Sequence, residues 1–310
     1  MDIFLSVALL CVGLALVIVS ADEAIKRLLN LARYLRLSEF VVSFVLAGAI
    51  AILPELSIGV VAAAQGTSSL GYGVILGANV ADLTLVIGVV TLIAGTIHLD
   101  VATKRNIRRS FIAVTLPVLL FLDGEISRID GAILIAAFAV YIYLLLRAKH
   151  DGAVFTERPR RRHMIRDTAI LLGALTLLLI GGILITDNSQ EISLALGLPL
   201  FLVGLIVAIG TCLPEMVFAI RSCNKLHCNL GLGNILGNVL ADSLLTIGVI
   251  ALIQPIKPAL FIAPLFTGLV MVVSALITYL LSRDGSLDRR DGLLLILVYA
   301  VFIAVQSALT

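Results

Sequence analysis

Residues 73–93 read GVILGANVADLTLVIGVVTLI, and residues 233–253 read GNILGNVLADSLLTIGVIALI. The two stretches lie 160 residues apart, and over 71–93 against 231–253 the chain is identical at 13 of 23 positions. Gly77 and Gly237, Asp82 and Asp242, and Gly88 and Gly248 are among the shared residues. The same offset relates Leu53-Pro54-Glu55 to Leu213-Pro214-Glu215. Chance likeness between apolar segments would not keep carboxylates and prolines in register, so the chain is read as a duplication.

The composition says where such a duplication lives. Of 310 residues, 60% are hydrophobic and 14% charged, with a mean hydropathy of +1.14. A soluble domain is closer to a quarter charged, so this is the composition of a multi-span membrane protein. A spanning helix needs about 20 predominantly apolar residues. Ten segments qualify, at roughly 3–20, 39–65, 71–97, 108–122, 130–147, 167–186, 193–221, 229–254, 259–281 and 292–309. The fourth is short and is expected to extend into its flanking charged residues. Met1-Asp2 lacks the basic start of a cleavable signal, so the first segment is read as a span. The four cysteines suggest no disulfide framework. Cys223, His227 and Cys228 do not supply the four ligands of a structural metal site.

Basic residues fix the expected orientation. The odd-numbered connections carry 20 of the 22 lysines and arginines, and the even ones carry only Arg128 and Lys257. The positive-inside rule then puts the odd connections in the cytoplasm and both termini outside. The expected division is a first repeat at 1–147, a basic cytoplasmic linker at 148–166 and a second repeat at 167–310. Each repeat has five spans. Five is odd, so the second repeat enters the membrane from the opposite side. The expected fold is all-α: ten transmembrane helices in two inverted five-helix repeats, an organisation that places substrate sites at the midplane between repeats.

Glu55, Asp82, Glu215 and Asp242 stand in the interior of apolar segments. A charge there costs at least about 2.5–3.5 kcal/mol on insertion scales, and no lysine or arginine accompanies any of them in the span interior. The missing counter-charge is a mobile cation or proton. Pro54 and Pro214 lack an N–H, and each is expected to loosen its helix and free carbonyls around Ile50 and Ala51, and around Gly210 and Thr211. Irregular backbone at this depth belongs to a protein-lined cavity. Calcium takes about six to eight oxygens from carboxylates, carbonyls and water, which two facing halves are able to supply. Asn79, Asn238, Thr84 and Ser243 neighbour the acids, either as further ligands or as hydrogen bonds between helices.

With LPE at 53–55, GTCLPE at 210–215, GANVAD at 77–82 and GNVLAD at 237–242, the sequence resembles the calcium/cation antiporter superfamily, in its sodium/calcium exchanger branch. The resemblance spans the whole chain. It implies that Glu55 and Glu215 ligate Ca²⁺ with the carbonyls of Ala51 and Thr211, that Asp82 and Asp242 complete a diamond of sites, and that Asn238, at a position where the family usually has serine, is a further ligand. It also implies that the first and sixth helices slide as a pair to alternate access. Ala51-Ile52, Cys212 and Ala78 replace usual hydroxyls, and Asp82 stands where asparagine is common. These departures leave the calcium centre but weaken the sodium sites. The expected function is antiport of Ca²⁺ for Na⁺, with exchange of H⁺ for Ca²⁺ or another divalent ion as the alternative. Expected partners are the transported ions and the lipid bilayer, with no cofactor, nucleic acid or obligate protein partner. An intramembrane aspartyl hydrolase would need a Gly-x-Gly-Asp pattern that is missing, and a channel would have no use for closed, two-fold-related carboxylates.

Overall fold

A computed structural model describes residues 3–34, 52–147, 161–224 and 228–309. The protein is mostly helical. Helices α1 (Ile3–Tyr34), α2 (Leu53–Ala64), α3 (Ser68–Ala81), α4 (Ile87–Ala94), α5 (Val101–Leu120) and α6 (Arg128–Arg147) make up the first part. The second comprises α7 (Arg161–Leu196), α8 (Leu200–Thr211), α9 (Leu213–Asn224), α10 (Cys228–Ala241), α11 (Ile247–Ile253), α12 (Ile262–Leu281) and α13 (Arg289–Ala308). A five-residue π-turn joins α3 to α4 at Asp82–Val86, and another joins α10 to α11 at Asp242–Thr246. Among the described residues, seven helical stretches are long and apolar enough to cross a membrane: 3–24, 68–94, 164–196, 200–223, 228–253, 262–284 and 289–308. Of the other three expected segments, 39–65 is described only from residue 52. The one at 108–122 is a helix that begins at Val101 and runs through its basic flank, and the one at 130–147 lies in α6.

Two helices overrun their expected ends. α1 was expected to stop near residue 20, yet it continues through Asp22, Glu23, Lys26 and Arg27 to Tyr34. Hydropathy marks where lipid ends, whereas i,i+4 ion pairs such as Asp22–Lys26 at 2.5 Å and Glu23–Arg27 carry the helix on into water. α7 starts at Arg161, so residues 161–166 of the expected linker are helical, and residues 148–160 lie outside the described residues. α7 also keeps the polar run 186–191 helical, with Thr186 Oγ1 donating to Gly182 O at 2.8 Å and Asn188 Nδ2 to Leu184 O at 2.7 Å. The cysteines depart from expectation as well: Cys223 and Cys228 are joined as a disulfide between α9 and α10.

Packing places the two π-turn segments at the centre. In stretches 68–94 and 228–253, 89% and 78% of the most apolar window is buried, against 28% and 33% in the spans of α1 and α7. α1 and α7 run antiparallel as a pair, in close contact at Gly13 and Gly181 and tied at one end by Arg27 Nη1 donating to Asp167 Oδ1 at 2.8 Å. This pair meets the remaining helices mainly through α2 and α8.

The first and second parts interlock. α6 packs on α11, where a Cβ on Gly131 would sit 2.8 Å from the Gly248 carbonyl oxygen. α13 packs on α4 in the same way, with 2.8 Å from a Cβ on Gly292 to the Gly88 oxygen. Only glycine allows backbones this close, the usual device for joining helices in lipid. Two short β contacts close the ends. β1 (Ile97–His98) pairs antiparallel with β2 (Ser286–Leu287), and Ile126 bridges Ile256. They are small exceptions to the all-α expectation.

Candidate functional site

Each Leu-Pro-Glu occupies the first turn of a new helix. α8 ends at Thr211, Cys212 intervenes with φ −76 and ψ −11, and α9 starts at Leu213. Ile52 has nearly the same geometry, φ −79 and ψ −1, ahead of α2. In the second part the helix is interrupted for a single residue, with Cys212 N–H still donating to Ala208 O at 3.2 Å and Met216 N–H to Cys212 O at 3.1 Å, in line with the expected loosening around Gly210 and Thr211; the residues ahead of Ile52 in the first part lie outside the described residues. Proline suits the start of a helix, where an N–H would have no intrahelical acceptor anyway. The interruption presents the α8 carbonyl end, the negative pole of its dipole, beside the buried carboxylates. Glu55 and Glu215 follow their prolines, and Asp82 and Asp242 open the two π-turns, a feature that often marks functional sites.

The structure brings these four acids together. Glu55, Asp82 and Asp242 are fully buried, and Glu215 is 6% exposed. Glu55 acts electrostatically on the other three, and Asp82 on Glu215 and Asp242. Among the described residues, no lysine, arginine or histidine forms an ion pair with any of them. Both carboxylate oxygens of Glu55 lack a hydrogen-bond partner, as do Glu215 Oε2, Asp82 Oδ1 and Asp242 Oδ2. The amide oxygens of Asn79 and Asn238 are equally unpartnered and buried. Seven buried acceptors without donors in one region call for cations, protons or water. Among the described residues, no three carboxylate, imidazole or thiol groups close on one point tightly enough to hold a metal ion by themselves. A cation here needs oxygens of other kinds as well.

The remaining expected ligands fall out differently. Ala51 lies outside the described residues. Thr211 is fully buried beside Glu55, its hydroxyl donating to Ala208 O at 3.1 Å, and it is the last residue of α8. Asn238 donates its amide Nδ2 to Asp82 Oδ2 at 3.3 Å, so it braces an acid of the first part from the second. Thr84 donates to Val80 O.

Asn79 Nδ2 donates to Ser243 Oγ at 3.0 Å, one of the two roles expected of these residues and a second link across the parts. Two further contacts were not anticipated. The Cys212 thiol donates to Ala78 O at 3.6 Å, and Thr246 Oγ1 donates to Asp242 Oδ1 at 2.9 Å. Only the last had a signal in the sequence, a hydroxyl four residues after an acid on one helix. The π-turns had none.

A sequence model described as sodium/calcium exchanger protein matches residues 5–147 and 167–308. The putative antiporter CaxA of Alkalimonas amylolytica is 29% identical over 253 residues, 79% of each chain. Among solved structures, the sodium-calcium exchanger NCX_Mj superposes with a TM-score of 0.67 at 25% identity, covering 97% of this chain and 98% of that one. An H⁺/Ca²⁺ exchanger, CAX, superposes with a TM-score of 0.78 at 18% identity, covering 96% and 82%; at that identity the likeness is one of fold.

Proposed function

The chain belongs to the sodium/calcium exchanger protein family, and on that footing we propose that it is a secondary active antiporter carrying Ca²⁺ across the membrane in exchange for Na⁺. The observation that carries this reading is the set of four buried carboxylates, drawn from both parts of the chain and lacking any cationic partner among the described residues. An empty, fully charged site of this kind stays hydrated and resists occlusion, because each charge must be desolvated. A site neutralised by a divalent ion or by monovalent ions closes and crosses. Exchange follows, and leakage of one ion alone is slow.

In this reading Glu55 and Glu215 ligate Ca²⁺ with the carbonyls of Ala51 and Thr211. Asp82, Asp242 and Asn238 complete the neighbouring positions. The ten spans form two inverted repeats, 1–147 and 167–310, with basic connections in the cytoplasm and both termini outside. The repetition of the π-turn, the glycine contact and the proline in the first turn of α2 and α9 at matching positions supports this. Near-equivalent halves give inward-facing and outward-facing states similar energies, and an ion shifts their balance only by its differential affinity.

One observation favours a second reading, exchange of H⁺ for Ca²⁺ or another divalent ion. Four acids leave two negative charges after one divalent ion binds, and Asp82 has a single amide contact, from Asn238. The experiment that tests both uses purified protein in proteoliposomes. Radioactive Ca²⁺ uptake is measured against an imposed Na⁺ gradient and then against a pH gradient. Uptake driven by Na⁺ supports the first reading, uptake driven only by pH supports the second, and uptake driven by neither refutes antiport of Ca²⁺.

A further inference from the structure

A π-turn strands one carbonyl. In an unbroken α-helix the Leu83 carbonyl would accept from Ile87 N–H. Here the Ile87 N–H is shared between Asp82 O and Thr84 O instead. The Leu83 oxygen, buried with its residue, is thereby left without its helical donor. Thr278 of α12 supplies one: its hydroxyl, on a residue 1% exposed, donates to Leu83 O at 3.2 Å.

The second π-turn is built alike but served differently. Ile247 N–H goes to Asp242 O, which strands the Ser243 carbonyl at the corresponding place. α5 and α12 are both 20 residues long; Thr278 matches Val118 at the 160-residue offset and Pro117 when counted from the helix starts, and neither has a side-chain donor. The aspartate side chains reverse this asymmetry. Thr246 donates a hydroxyl to Asp242 Oδ1, and the matching residue in the first π-turn is Val86. One π-turn thus receives a hydroxyl on its stranded carbonyl, the other a hydroxyl on its aspartate side chain.

We propose that Thr278 is a positioning residue that fixes the first π-turn and thereby sets where Asp82 presents its carboxylate to the transported cation. The role of Asp82 in this statement rests on the transport reading above. Losing the hydroxyl removes one buried hydrogen bond and lets the Asp82 backbone relax toward ordinary helix. The binding geometry is lost while the charge remains.

The test is Ca²⁺ flux in proteoliposomes with Thr278→Val, Thr278→Ser, Asp82→Asn and the Thr278→Val/Asp82→Asn double variant. Thr278→Val is expected to raise the KM for Ca²⁺ roughly three- to tenfold with kcat little changed, the scale of one lost buried hydrogen bond. Thr278→Ser restores it, and in the Asp82→Asn background Thr278→Val adds nothing, because coupled residues are non-additive. An equal effect of Thr278→Val in both backgrounds, or no rescue by serine, overturns the proposal. A measurement needing no variant stands beside it: in the wild-type protein the amides of 83–88 should exchange with deuterium more slowly than those of 243–248. Equal or reversed protection also overturns it. If Asp82→Asn transports like wild type, the functional reading fails, and the exchange comparison still decides whether Thr278 tethers the turn.

Discussion

Replacing Glu55 by glutamine tests the site most directly. Glutamine has nearly the same shape, so the change removes a charge and little else. Glu55 is fully buried and neither carboxylate oxygen has a well-formed hydrogen bond, with Thr211 and its own backbone N–H as the neighbouring donors, so most of the charge is available to a bound ion. Breaking a buried ion pair by deleting one partner costs about 3–5 kcal/mol, which is roughly two to four decades of affinity. Asp242 already shares one oxygen with Thr246 at 2.9 Å, and Asp82 shares one with Asn238 at 3.3 Å, so Asp242→Asn and Asp82→Asn should lose less than Glu55→Gln. The assay is calorimetric Ca²⁺ binding in detergent, paired with thermal unfolding. Without ions, Glu55→Gln should melt at or above the wild-type temperature, because an uncompensated buried charge is gone. On adding Ca²⁺ at about 100 times its dissociation constant, wild type should gain about 2.7 kcal/mol of stability and the variant almost none. Ca²⁺ affinity within about threefold of wild type in a folded Glu55→Gln protein would refute the claim that this carboxylate faces the ion.

Other outcomes follow from the same structure. Thr246→Val removes the hydroxyl on Asp242 Oδ1 and leaves a buried acceptor bare; ion-free stability should fall by about 1–3 kcal/mol, read by thermal or denaturant unfolding with a chelator present. Gly131→Ala or Gly292→Ala would put a methyl 2.8 Å from a backbone oxygen of the partner helix, and overpacking of this kind costs about 1–3 kcal/mol, seen as a lower melting midpoint for each. Asp167→Ala removes the acceptor for Arg27 Nη1 and Asn30 Nδ2, which join α1 to α7; accelerated hydrogen exchange at residues 22–31 should report the loosened end. Single cysteines at positions 125 and 257 should label from the face opposite to one at 284, and labelling of all three from one side would refute the inverted arrangement.

Much of the fold was legible because two strong signals coincide. Apolar runs gave the helical segments, and a fixed offset of shared residues gave their correspondence. Helix ends were less legible, since α1 and α7 extend past the apolar stretch on ion pairs and local hydroxyl bonds that hydropathy does not register. The loosening expected at Pro214 is present as a one-residue interruption at Cys212 between α8 and α9, while Pro54 stands in the first turn of α2 and the residues before Ile52 lie outside the described residues. The four acids were legible because burying charge in lipid is costly and so stands out. The role of Asn238 was only half legible: its amide nitrogen is spent on Asp82, and its oxygen alone remains for an ion. The π-turns were invisible because no residue type specifies them, and so the stranded Leu83 carbonyl and its donor Thr278 could not be foreseen.

The glycine contacts between the two parts bear on how the protein is made. Gly88 of α4 awaits Gly292, which a ribosome adding about 5–20 residues per second reaches roughly 10–40 s later. Throughout that interval the close-approach face of α4 has no protein neighbour of its own and must rest against lipid or an insertion factor. Biogenesis therefore cannot finish one repeat before beginning the other, and a nascent chain cut short of residue 289 should be a substrate for membrane quality control rather than a smaller working protein.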